Sequence, residues 1–237
     1  MAACGFYGKL ASRGDFVSRR LPREFVEPWD GWLQAGLSAS REQLGDGWLD
    51  CYLTSPLWRF VLAPGCCGPQ ATVAGVLMPS VDRVGRYFPL TLACSLDGEF
   101  PPDALARDAG DWYAQAEALA LATLEETLDL DGWDAAVAAL GAPAAAVGLA
   151  LPGTPMFGHF EDLADAGSMA GRLAQQRLRP DWRGSSLWWT LGSERIEPCV
   201  ILAEGLPPAG TLGSFFDGDF ARAGYAAGDT AGSTHDQ

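Results

Sequence analysis

Lysine and histidine are scarce in this chain. Lys9 stands beside fifteen arginines, and His159 and His235 are the two histidines among 237 residues. A serine–histidine–aspartate relay would have to rest on His159, and no G-x-S-x-G elbow is present to hold a strained serine. A hydrolytic triad is therefore not expected. CxxC pairs are missing too. Cys4, Cys51, Cys66, Cys67, Cys94 and Cys199 fall at no metal-ligand spacing with a histidine, so they read as small core residues rather than ligands or disulfides. The close carboxylate pairs Asp129/Asp131 and Asp217/Asp219 sit in no EF-hand loop and read as helix-end and turn residues. No cofactor and no metal is expected.

Long apolar runs are absent as well: nothing approaches the ~18 residues that span a bilayer. The opening "MAACGFYGKLASRGDFVSRR" has no apolar stretch behind a basic one, so no secretory signal is read and the expected location is the cytoplasm. Clustered basic charge is lacking in a chain of net charge −14 and pI near 4.4, which argues against binding nucleic acid through its phosphates. The deficit is uneven. Residues 1–90 carry nine basic against eight acidic side chains, while residues 91–237 carry seven against twenty-two. Such an acidic back half would steer a basic partner. "GFYGKL" has too few residues between its glycines for a phosphate-binding loop, and Leu10 replaces the Ser or Thr that would hold magnesium.

Apolar residues, by contrast, make up 48% of the chain, with nine Trp and eleven Phe, enough for one substantial core. A strand is expected to end at Gly8, followed by a turn around Arg13-Gly14-Asp15. Phe25, Trp29, Trp32, Leu33 and Leu37 recur at helical spacing, with Pro28 as a kink or restart. A short helix follows, stopped by Pro56. Strands at 57–63, 72–78 and 87–96 with short links predict an antiparallel meander. One long helix is expected over 102–128, another near 133–140, a loop at 152–160, a helix at 161–178, and strands in "SSLWWTLG" and "PCVILAE". The predicted architecture is a single α/β domain over residues 1–221, a three-layer α/β/α sandwich whose mixed, largely antiparallel sheet is covered by helices. Residues 222–237 read as a flexible tail.

Two short charged motifs remain, "SRGDF" at 12–16 and "SVDRVGR" at 80–86, each glycine-punctuated and beside a strand. Asp15 could pair with Arg86, or Arg13 with Asp82, clamping one loop to the other. The same loops could instead line a site. The candidate residues for a clamp or an interaction surface are Arg13, Asp15, Ser80, Asp82, Arg83 and Arg86, with Trp58 and Tyr87 as exposed aromatics. An enzyme or small-anion site at 80–86 is the alternative, using Arg83 and Arg86 with Ser80 or Asp82 at reaction distance.

The strings "GFYGKLASRGDFVSRRLP", "FVEPWDGWLQAGL", "YLTSPLWRFVL", "GVLMPSVDRVGRYFPLTLA", "SLWWTLG" and "GLPP" resemble the TagF (ImpM) family of bacterial type VI secretion. The resemblance is dense over residues 5–95 and thins over 100–180. It implies a three-layer α/β sandwich and a non-enzymatic, post-translational negative regulator. The implied partner is a forkhead-associated (Fha) scaffold protein, in balance with a threonine kinase and phosphatase. No catalytic residues belong to the family, so the resemblance implies none here.

Overall fold

In the computed structural model the described residues are 4–96, 100, 102–125, 127–144, 156–159 and 182–227. Strands are β1 (Cys4–Gly8), β2 (Val17–Arg19), β3 (Trp58–Leu62), β4 (Thr72–Met78), β5 (Leu90–Leu96), β6 (Met156–His159), β7 (Ser185–Thr190), β8 (Cys199–Glu204) and β9 (Ala226–Ala227). Helices are α1 (Arg23–Leu44), α2 (Trp48–Leu53), α3 (Pro102–Asp108), α4 (Gly110–Ala122), α5 (Leu130–Ala139) and the short α6 (Ser214–Asp217). The strands form one sheet in the order β2-β1-β5-β4-β3-β7-β8-β6-β9. Neighbours run antiparallel except β6 and β9, which are parallel.

The central strands are buried on both faces, so they read as near-continuous apolar runs. Alternate residues still go to different layers. Trp58, Phe60 and Leu62 of β3 join Trp188 and Ile201 beneath α1, α2 and α6. Val61, Ala74, Val76 and Trp189 face α3, α4 and α5 on the other side. This is the three-layer sandwich with a largely antiparallel sheet that the sequence predicts, including the β3–β4–β5 meander.

α1 seats its predicted stripe as expected: Phe25, Trp29, Trp32, Leu33 and Leu37 are buried. The Trp29 ring stacks at 5.8 Å on Trp188 and lies 4.9 Å from Phe60, contacts worth about 0.5–1.5 kcal/mol each beyond area burial. Pro28 neither breaks nor restarts the helix, which runs from Arg23 to Leu44. Lacking an N–H, it leaves the Glu24 carbonyl without its helical donor, and the loop at Gly68 packs onto that oxygen so closely that a Cβ would collide with it.

Opposite, β3 carries a charge into the core. Arg59 is buried and makes a bidentate contact with Glu117 of α4, both hydrogen bonds 2.6 Å long.

Several expected boundaries move. The helix expected over 102–128 is two, parted at Ala109-Gly110 and finished at Ala122, which leaves Thr127 exposed. The segment read as loop at 152–160 contains β6. The tail does not start at 222: Tyr225 is buried against Phe220 and β9 pairs with β6. The helix expected over 161–178 lies outside the described residues.

Candidate interaction surface

Strand registers decide which loops meet. Tyr7 of β1 lies opposite Thr91 of β5, Thr91 opposite Leu77 of β4, and Leu77 opposite Trp58 of β3. The segment after Gly8, the link from β4 to β5, and the approach to β3 therefore emerge at one end of the sheet. β1 leaves the sheet at Gly8, whose φ of 139° and close approach to the Pro89 carbonyl exclude a Cβ. That turn directs Lys9 inward.

Lys9 Nζ lies 2.8 Å from Asp82 Oδ2, with the lysine side chain 6% exposed and the aspartate 0%. Arg86 Nε donates to the same oxygen at 2.7 Å. Asp82 Oδ1 accepts the backbone N–H groups of Val84 and Arg86 at 3.0 and 2.9 Å. Burial by itself would raise the Asp82 carboxyl, but these donors outweigh it and hold the group far below the ordinary carboxylate range.

The knot spans both motifs. Arg83 N–H donates to the Arg13 carbonyl at 2.8 Å, and the Arg86 guanidinium donates to the Gly14 carbonyl. Ser80 Oγ–H donates to the Lys9 carbonyl at 2.8 Å, while its own N–H and C=O both engage the Tyr52 hydroxyl at 2.9 Å. Burial raises the Tyr52 phenol well above its usual range, so it remains a neutral donor and acceptor. The Val81–Tyr87 bridge closes the loop.

Of the candidate residues, Ser80 and Asp82 are internal, their side chains occupied by the clamp. That leaves neither group facing a reactant in this geometry. Asp15 and Arg86 come together, but loosely, at 3.8 Å with Asp15 almost wholly exposed. The alternative Arg13–Asp82 pair does not form, because Lys9 and Arg86 hold the carboxylate and Arg13 contributes its carbonyl instead. Trp58 is not an exposed aromatic: it is 1% exposed, with its ring 4.4 Å from Phe215 and its Nε1–H donating to the Phe215 carbonyl. A tryptophan on a central strand has both neighbours to bury it. Tyr87 is partly buried against Trp48 and Tyr52.

Sequence reasoning missed Lys9, which its rarity marked only as composition. Its place directly after a buried strand was the available signal, since an ammonium there needs a carboxylate. Phe16 was missed also. It is 45% exposed yet fixed, stacked 5.8 Å from Tyr7, edge-on 4.8 Å from Phe88, and with Lys9 Nζ 5.2 Å from its ring. What faces outward on this rigid base is Arg13, Asp15, Phe16, Arg83 and Val84, with Arg86 half exposed and 3.8 Å from Asp15. Beside Tyr87 and Phe88 a groove of about 390 Å³ opens against Gln34, Leu37, Ser38, Arg41 and Glu42 of α1.

Fold and surface together define a three-layer α/β domain that presents a clamped, arginine-bearing loop face at one end of its sheet. Residues 5–140 match the model of the TagF N-terminal domain, described as type VI secretion system-associated. The chain is also similar to a solved structure, the crystal structure of PA0076 from Pseudomonas aeruginosa PAO1 at 2.05 Å resolution. That likeness has a TM-score of 0.75 and 44% sequence identity over 92% of this chain and 95% of the other. Comparison with curated proteins finds no match. This chain belongs to the TagF family, associated with type VI secretion.

Proposed function

We propose that the protein is a negative regulator of type VI secretion that acts after translation, by binding another polypeptide and without turning over a substrate. The proposed partner is the forkhead-associated scaffold protein, met in the cytoplasm. Family membership supports the secretion context, and among the described residues no helix is long and apolar enough to cross a membrane. The observation that carries the reading is the loop face itself. Two loops are locked together by a buried carboxylate, which prepays the ordering cost of a binding surface, and arginine and aromatic side chains project from them.

The test is capture of purified scaffold by the purified protein, paired with secretion measured in cells that lack or overproduce it. Expected are direct capture, raised secretion on deletion and reduced secretion on overproduction. Absence of capture, or secretion indifferent to both changes, would remove the proposal.

A further inference from the structure

We propose that the Arg13/Arg83 face is a docking site for an acidic polypeptide segment carrying apolar side chains. This rests on the binding role proposed above and adds the chemistry of what is bound.

The argument begins with charge pairing. The chain has thirty acidic side chains for sixteen basic ones, so most arginines find a carboxylate. Arg20 pairs with Asp134, Arg23 with Glu27, Arg59 with Glu117, Arg86 with Asp82, Arg107 with Asp103, Arg195 with Asp50 and Arg222 with Asp217. Arg41 instead stacks on Trp48. Among the described residues, Arg13 and Arg83 are the basic side chains with neither a carboxylate nor an amide nor a ring partner. They are not scattered. The Arg83 N–H to Arg13 carbonyl bond holds their backbones together, and the Arg83 guanidinium lies over Gly14, 3.8 Å from where a Cβ would stand. Two carboxylates lie in these loops: Asp82 is buried and neutralised by Lys9 and Arg86, and the exposed Asp15 is met by Arg86 at 3.8 Å, so neither pairs with Arg13 or Arg83.

Apolar surface flanks the pair. Val84, at the tip of the loop, is 64% exposed, and Phe16 offers a half-exposed ring that cannot swing away. Long cations and an anchored aromatic on a pre-ordered base suit a chain that brings carboxylates and apolar side chains together. The net −14 of the molecule sharpens the choice: an acidic segment is repelled by most of the surface and finds favourable charge here. A basic segment would find carboxylates in many places and repulsion at this one.

The test uses the full chain and a short fluorescent peptide of glutamates with interspersed leucines, read by anisotropy across a salt series. A peptide with lysine in place of every glutamate is the control. Expected is saturable binding of the acidic peptide that weakens with salt, falls about tenfold or more in Arg13→Glu with Arg83→Glu, and falls again in Val84→Asp. These side chains are exposed and unpaired, so the variants should keep the wild-type fold, checked by circular dichroism, with any loss of melting temperature at low salt recovered as salt is raised. No binding of the acidic peptide, binding indifferent to the double reversal, or preferential binding of the lysine peptide at this face overturns the inference. Capture of the Fha scaffold, measured separately, decides the proposed function: a scaffold held equally by wild type and double variant leaves that function standing and removes this docking site from it.

Discussion

A carboxylate without solvent contact is costly to bury, and Asp82 is tolerated because two cations and two backbone N–H groups surround it. The sequence showed that Asp and Arg were crowded into "SVDRVGR", and that a clamp to "SRGDF" could result. It did not show which charges would meet, because the decisive cation comes from Lys9, 73 residues away. The depressed carboxyl gives the sign of the pH dependence. A group held below its unfolded value stabilises the fold above that unfolded value, about 3.9 for Asp, and its contribution is lost as the pH falls toward the folded value. Asp82→Asn should therefore destabilise at neutral pH, by about 3 kcal/mol or more, since a buried ammonium is left facing an amide. Its stability should also depend less on pH below about 4 than that of the wild type. Denaturant melts across that range check both; equal stability at pH 7, or parallel acid limbs, would show that the knot does not hold the loops.

Elements were most legible where one physical signal dominated. The stripe of α1, the meander β3–β4–β5 and the β7 and β8 strands follow from apolar spacing and turn residues alone. Boundaries were missed where tertiary contact outweighed local pattern. Ala109 divides the 102–128 helix although the apolar spacing continues through it, so that Leu105, Ala109, Trp112 and Ala116 all remain buried. The tail was read as patternless because "AGYAAG" has too few apolar residues to form a periodicity. Yet Tyr225 packs its ring 5.8 Å from Phe220, and its hydroxyl lies 2.9 Å from Thr211 Oγ1, at the edge of the core under α1. Burial pushes its phenol up to about 12, as expected for a neutral hydroxyl held in that edge. Tyr225→Ala should cost about 2–4 kcal/mol by removing a buried aromatic. Tyr225→Phe should cost only about 1, the value of one hydrogen bond. Calorimetric melting of the pair distinguishes them, and a Tyr225→Ala protein that melts with the wild type would return residue 225 to a mobile tail.

At the scale of the whole molecule, the sequence separates a near-neutral front from an acidic back, but the fold does not keep them apart. β7 and β8 from the back half extend the sheet directly from β3, so the two halves of the chain share one sheet. Electrostatically the protein is a broadly acidic body with a local arginine-bearing face, which is why the candidate face could be named from sequence while its setting could not. Such a body repels itself when compact, and the repulsion acts over distances that salt shortens to about 10 Å at 0.1 M. The close ion pairs, most of them on the surface, gain little and so lose little when screened. Melting temperature should therefore rise by a few degrees as sodium chloride is raised from low to about 0.3 M. The rise should be steeper in Arg13→Glu with Arg83→Glu, which makes the molecule four units more negative without touching a contact. Scanning calorimetry at fixed pH reads both slopes. If the melting temperature falls with salt, local pairs rather than net repulsion govern the electrostatics, and the contrast between acidic body and arginine face loses its energetic basis.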